Sequence, residues 1–350
     1  MAARNTNSEL SPVLKLLRVL YWVVFAISLV IVILFFIFKV FVKPPEVNTD
    51  PVIVPGPDQT IVDIPGDDPD TSGDEDPDSQ ESQEPQQLVL NRREGVYTCL
   101  LTGTDDGNGN ADTIMLGVFD TVNFTASLIS IPRDTLVEVN GKNWKINATY
   151  ALGGMELMCE AVSEMLAVPV DFYVSVDLAA MEAIVDQIGG VWFTVPTEMK
   201  YEDPAQDLYI DISAGYQLLD GATAVDMLRC RNAYANQDIG RTQTQRAFLV
   251  AMVKQAISLS NVDKVTSLIN ILEQYVDSNM SVKNMVFFAT KAIGMDLNTN
   301  LTATVLPTDW VYPVLELRDD EVLALVNSLG IYKEEVPMEA LHIHHNTPAE

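Results

Sequence analysis

Four of the ten arginines in this 350-residue chain (Arg229, Arg231, Arg241 and Arg246) fall within eighteen residues, against a formal net charge of −28. Arg229 and Arg231 are two apart, so an extended segment would turn both guanidiniums to one face. Cys230, between them, would then point the other way, into the core. Asp238 is placed to cap a helix opened by Gly240 and Arg241, and Arg241 and Gln245 share a face of it at i, i+4. A strand presenting two arginines beside a helix N-terminus presenting a third is a receptor for phosphate oxygens. The competing use of these arginines is pairing with the chain's own abundant carboxylates.

A second cluster surrounds Asp105 and Asp112, which are separated by a loop containing Gly107 and Gly109. Two carboxylates at facing strand ends suit a hard cation such as Mg²⁺, with Mn²⁺ as its substitute, held beside phosphate. Taken alone, the same aspartates serve equally well as turn caps. Arg133 and Asp134 follow at another strand end, then Lys145 and Asn147. No Ser-His-Asp or Cys-His arrangement is available. The three histidines, His342, His344 and His345, all fall in the last nine residues, where a tail is a better reading than a metal site. Cys99, Cys159 and Cys230 have no metal-like spacing and read as buried free thiols.

These residues need a scaffold, and the chain supplies it in sections. Residues 1–18 carry Arg4, Lys15 and Arg18. An uncharged apolar stretch, Val19–Phe38, then matches the length of a membrane-spanning helix, taken as 19–42. The charge asymmetry across it places the N-terminus in the cytoplasm and the rest outside. From Pro44 to about Leu90 there are thirteen acidic residues and no Lys or Arg. Such a segment cannot bury enough apolar surface to fold, so 43–91 reads as an extended tether reaching roughly 40 Å. Residues 92–335 alternate strand-like and helix-like patterns and are expected to form a single mixed α/β domain, a central sheet flanked by helices; 336–350 is a tail. Strands are predicted at Val96–Leu101, Thr113–Phe119, Ala126–Ile131, Thr135–Val139, Val170–Val176, Val191–Val195 and Ala303–Leu306. Helices are predicted at Met155–Leu166, Leu178–Ile188, a short one capped by Asp220, Arg241–Leu259, Val262–Val276, Val282–Ile293 and Asp320–Leu329. The excess of 49 acidic over 21 basic residues argues against a nucleic-acid partner.

Read in order, GTD, ADT, SIPRDT, KIN-A-Y-x-x-GG, VDFYVSVD, VDQIGGVWFTVP, LDG-x-x-A, R-x-R and D-x-GR-x-x-x-Q resemble the LytR–CpsA–Psr family over roughly residues 95–260. The resemblance implies an extracytoplasmic enzyme that transfers a glycopolymer, of teichoic acid or capsule type, from a polyprenyl-pyrophosphate carrier to peptidoglycan through a phosphodiester. It implies Mg²⁺ on Asp105 and Asp112, and phosphate contacts from Arg133, Lys145, Arg229, Arg231, Arg241 and Gln245. Asp238 matches the aspartate proposed as base for the acceptor hydroxyl, with Asp112 and Arg133 also catalytic, and Asp134 orienting Arg133. The lipid tail would occupy an apolar groove between helices and sheet.

The chain departs from that pattern in places. Asp106-Gly107 and Asn110 stand where the family often has arginines, Thr244 replaces a second helix arginine, and Arg246 replaces a common glutamine. Two other readings share the same ligands: a non-catalytic polyprenyl-phosphate sensor, and a lipid-pyrophosphate phosphatase.

Overall fold

The computed structural model describes residues 43–54, 88–104, 111–203, 208–230, 232–234, 238–258, 270–293 and 295–345. The expected membrane helix falls outside them, and among the described residues no helix is long and apolar enough to cross a membrane. The elements begin with β1 (Val52–Val54), β2 (Leu88–Leu90), β3 (Val96–Thr104), β4 (Ala111–Asp120), β5 (Thr125–Ile131), β6 (Leu136–Val139), β7 (Lys142–Lys145) and α1 (Ile146–Leu166). Next come β8 (Phe172–Val176), α2 (Leu178–Ile188), β9 (Val191–Val195), β10 (Met199–Asp203), β11 (Leu208–Ile212), β12 (Gly215–Leu219), α3 (Gly221–Arg229) and α4 (Asp238–Ser258). The chain closes with β13 (Val276–Ser278), α5 (Val282–Ile293), β14 (Leu301–Val305), β15 (Thr308–Val311), β16 (Val314–Leu317) and α6 (Asp319–Ser328).

The mixed α/β expectation holds. A six-stranded sheet runs in the order β13-β8-β3-β4-β5-β14, with β8 parallel to β3, β14 parallel to β5 and the other neighbours antiparallel. The period of two in β3 builds both layers. Val96 and Leu100 enter a core with Met158 and Val162 of α1, whereas Tyr97 packs with Phe172 and Phe287 of α5. A separate cluster joins α2, α3 and α4 to β9 and β12 through Val185, Val191, Phe193, Leu219, Met227 and Phe248. Deep in the first layer, the Arg92 guanidinium donates to both carboxylate oxygens of Asp171, whose Oδ2 also accepts from the Thr98 backbone N–H at 2.8 Å. Both side chains of that pair are 3% exposed.

Several expectations need correcting. Arg229 does not lie on a strand: α3, capped by Asp220 accepting from the Thr223 N–H, continues to Arg229, and Cys230 turns extended as its C-cap. Cys230 is nonetheless buried as expected. The helix predicted through Val276 stops at residue 275, because Val276–Ser278 pairs with β8 as an edge strand. The tether forms structure at both ends: Val52–Val54 pairs antiparallel with Leu88–Leu90, the short apolar runs in that acidic stretch, burying Val54 and Leu90. Packing also extends past residue 335, since Val336 and Leu341 are core residues and His344 and His345 approach Glu138, Glu316 and Asp319.

Candidate active site

The site forms where β3 ends, β4 begins and α4 starts. Gly103 pairs with Thr113 across the two strands, and the register shifts between Gly103 and Thr104. A Cβ on Gly103 would lie 3.3 Å from the Thr113 Cβ, so glycine allows the strands to close there. Asp112 is the second residue of β4. Arg133 leaves β5 in a turn fixed from three directions: the Leu315 N–H of β16 donates to the Asp134 carbonyl (2.9 Å), the Asn147 N–H of α1 to the Arg133 carbonyl (3.2 Å), and the Thr135 N–H to Pro132 (3.0 Å). Arg241 lies in the first turn of α4. Gly240 before it has Tyr234 against its α-carbon: an added Cβ would sit 2.6 Å from that side chain.

Three cations and two carboxylates meet across these elements. Arg133 Nη1 donates to Asp112 Oδ1 at 2.8 Å, and Arg241 Nη1 is 3.5 Å from Asp112 Oδ2. Lys145 Nζ is 2.8 Å from Asp134 Oδ1, whereas Arg133 Nε is 3.9 Å from Asp134 Oδ2. Asp134 therefore holds Lys145 more closely than it orients Arg133. The Arg241 side chain is 4% exposed, against 21% for Asp112 and 27% for Arg133. A guanidinium cannot discharge itself by losing a proton, so one this buried needs anions around it.

Gln245 is one turn beyond Arg241, as the i, i+4 spacing requires. Its Oε1 accepts from the Thr113 hydroxyl at 2.9 Å, and its Nε2 donates to the Leu228 carbonyl at 3.2 Å, tying α4 to β4 and α3. Arg229 ends α3 on the same wall. Its neighbour Asp226 has a carboxyl pKa raised by burial, with Arg229 opposing the rise. Thr244 is buried, its hydroxyl donating to the Gly240 carbonyl at 3.0 Å, so the position where the resemblance implied an arginine faces inward.

Behind these charges opens a cavity of about 620 Å³ between the sheet and α2, α3 and α4. Asp112, Arg229, Arg241 and Gln245 share it with Leu101, Met115, Met181, Phe248 and Met252. Its position between helices and sheet is where the resemblance implies an apolar groove. Its lining could not be told from core in the sequence, because both are built from the same residue types.

The structure thus gathers Asp112, Arg133, Arg241 and Gln245 directly, joins Lys145 through Asp134, and sets Arg229 on the cavity wall. Asp105, Arg231 and the Asp238 side chain lie outside the described residues, although the Asp238 backbone is the first residue of α4. Thr113 was not singled out beforehand; its place in the ADT motif, facing Gly103, was the available signal. Among the described residues no group of three or more His, Cys, Asp or Glu gathers as a metal cage. With a phosphate bound beside it, one carboxylate such as Asp112 would suffice for Mg²⁺, which commonly takes one or two carboxylates and fills its shell with water and phosphate.

The sequence matches the LytR_cpsA_psr family over residues 68–316, and the chain belongs to that family. It is 28% identical over 194 residues to the polyisoprenyl-teichoic acid–peptidoglycan teichoic acid transferase TagU of Bacillus licheniformis, covering 54% of this chain and 61% of that protein. It is 30% identical over 207 residues to TagU of Enterococcus faecalis, covering 57% of this chain and 66% of that protein. The chain therefore spans somewhat under two thirds of the length of these curated relatives. The fold is similar to the crystal structure of Bacillus subtilis TagV (TM-score 0.60, 24% identity, covering 68% of this chain and 96% of that one). It is also similar to TagT bound to LI-WTA (TM-score 0.56, 24% identity, covering 67% and 90%).

Proposed function

We propose that this LytR–CpsA–Psr family member transfers a glycopolymer from a polyprenyl-pyrophosphate carrier to a peptidoglycan hydroxyl. One observation carries this reading: the Arg241–Asp112–Arg133 cluster adjoins an apolar cavity of about 620 Å³, which Asp112 and Arg241 line. A ligand for such a site joins anionic phosphates to an apolar tail, as a polyprenyl pyrophosphate does. The names of the teichoic acid transferases TagU point to the same chemistry.

In this reaction the acceptor oxygen bonds to the phosphorus nearer the glycopolymer, and the anhydride P–O bond breaks. Polyprenyl phosphate leaves with the bonding electrons, and the hydroxyl proton passes to a base, a role we assign to Asp238. Phosphoryl transfer asks for positioning and charge neutralisation rather than a strong protein nucleophile. Arg133, Arg241, Arg229 and Lys145 would take the phosphate oxygens, with Arg231 and Gln245 completing the set. A guanidinium that moves from Asp112 to phosphate frees the carboxylate, so Asp112 together with Asp105 would hold Mg²⁺ or Mn²⁺. Bound there, a divalent cation offsets charge on the leaving phosphate. Residues 19–42 would anchor the chain in the cell membrane by a single pass, with the domain outside the cytoplasm.

The test incubates the full chain in detergent with Mg²⁺, a polyprenyl-pyrophosphate oligosaccharide and peptidoglycan fragments, with products read by mass spectrometry. An oligosaccharide phosphate joined to muramic acid is the expected product. Free reducing-end phosphate alone would identify a phosphatase, and tight lipid binding without product a sensor.

A further inference from the structure

A second hollow, of about 520 Å³, lies at the far end of the ion-pair chain from the apolar cavity. That chain runs Asp112–Arg133–Asp134–Lys145: Asp112 lines the first cavity, and Lys145 lines the second hollow. Its walls include Asn143, Trp144 and Lys145 of β7, Asn147 in the first turn of α1 and Pro313 in the β15–β16 turn, over an apolar floor that includes Leu136 of β6 and Val314 of β16. Among the described residues its lining includes no carboxylate, although the chain carries 49 acidic residues. The side-chain amides of Asn143 and Asn147 bond to no other described residue, and both residues keep solvent-accessible surface. Trp310 and Tyr312, on the adjoining hairpin, are 60% and 82% exposed and meet edge to face at 6.4 Å between ring centroids.

Amide donors and acceptors beside an indole, without acids, suit a neutral polyhydroxyl ring. The apolar C–H face of a pyranose covers the aromatic surface, and hydroxyl or acetamido groups meet the amides. Position selects which sugar. In-line transfer brings the attacking hydroxyl to phosphorus opposite the leaving phosphate. With the lipid tail in the cavity that Asp112 lines, the acceptor reaches the phosphates from outside that cavity, and the hollow that Lys145 lines opens beyond the other end of the ion-pair chain. We infer that this hollow is the acceptor subsite, binding an N-acetylated amino-sugar ring of the glycan strand that receives the polymer. The inference rests on the transfer reaction proposed above.

The test uses full chain in detergent and β-1,4-linked N-acetylglucosamine oligomers as the acceptor mimic, with binding read by calorimetry and saturation-transfer NMR. Asn143 is exposed, so Asn143→Ala is expected to leave the fold intact, and Trp144→Phe keeps an aromatic ring in place. The pair of changes together is expected to weaken oligomer binding about tenfold. In the transfer assay the acceptor KM should rise by a similar factor while the donor KM holds. Failure of the oligomer to bind, or unchanged binding in the double variant, would overturn the inference. So would competition at this hollow by a lipid-free donor oligosaccharide where the acceptor mimic has no effect. Normal transfer with an unchanged acceptor KM rejects the subsite and leaves the proposed reaction standing. Variant-sensitive oligomer binding without transfer upholds a glycan site and rejects that reaction.

Discussion

Asp112→Asn should make the protein less stable without ligand and more responsive to pyrophosphate. The carboxylate bonds Arg133 at 2.8 Å and lies 3.5 Å from Arg241, whose side chain is 4% exposed. Removing one partner of a fully buried ion pair costs about 3–5 kcal/mol. Here Asp112 and Arg133 are 21% and 27% exposed, and asparagine keeps one acceptor oxygen. The loss is therefore about 2 kcal/mol, at the level of one charged hydrogen bond. For a domain of this size that lowers Tm by about 4–8 °C. Pyrophosphate that binds only the folded state adds about 2.7 kcal/mol at a hundred times its Kd. In metal-free buffer it should raise Tm more in the variant, because the anion replaces the lost carboxylate and meets less repulsion. Transfer, by contrast, should fall by two orders of magnitude or more. Thermal scans of full chain with and without pyrophosphate and EDTA measure both shifts. A wild-type Tm in Asp112→Asn, or a smaller pyrophosphate shift than wild type, would refute the idea that Asp112 holds the place of an anionic ligand.

Asp171→Asn leaves the Arg92 charge buried and should cost about 3–5 kcal/mol in denaturant unfolding, whereas Arg92→Met/Asp171→Leu should recover much of it. Gly240→Ala must displace Tyr234 from 2.6 Å; we expect about 1–3 kcal/mol of destabilisation and weaker pyrophosphate binding by calorimetry. Hydrogen bonds to Glu316 and then Asp319 hold the His345 pKa above its ordinary 6.5. A raised histidine pKa stabilises below the unfolded value and ceases to as pH rises through the folded one, so attachment of residues 337–345 should loosen as pH rises past 6.5. NMR titration should find His345 titrating above 6.5 and Glu316→Gln lowering it, with salt weakening the effect at a half-exposed ring.

What was readable in the sequence follows how local each signal is. Val96–Leu101 and Thr113–Phe119 were legible as short buried runs, because a central strand covered on both faces carries apolar residues on each. Helix 155–166 was placed correctly, since Gly153 and Gly154 break α1 there with φ/ψ values outside the helix; the turn Ile146–Leu152 before that kink was missed. The spacing of Arg229 and Arg231 suggested a strand, yet the Asp220 cap propagates a helix as far as Arg229, and capping outweighs two-residue spacing. The edge strand Val276–Ser278 was invisible because a three-residue strand is made by its partner, β8. The hairpins of β10–β11 and β15–β16 were not foreseen either; Tyr209, Trp310 and Tyr312 on them are exposed. At the site, residue types were legible and their pairing was not: which carboxylate holds Arg133 depends on β16 and α1 gripping the turn.

The β1–β2 pair changes the mechanics of the acidic stretch. Val54 and Leu88 sit side by side in register, so whatever chain lies between them begins and ends at one spot on the domain. Length there adds nothing to the span between the domain and its attachment upstream; that span is set by the few residues before Val47, which packs beside Tyr97 and Phe287. Pulled from its N-terminus, the domain would take the load at Val47 and at the Asn48 carbonyl, to which Arg92 donates, before β1 is peeled away. Lengthening or shortening 55–87 should leave the working height of the domain unchanged, and an insertion before Pro44 should raise it. With residues 19–42 in a bilayer, as proposed, the leash would be short and the domain would be moored close to the lipid surface.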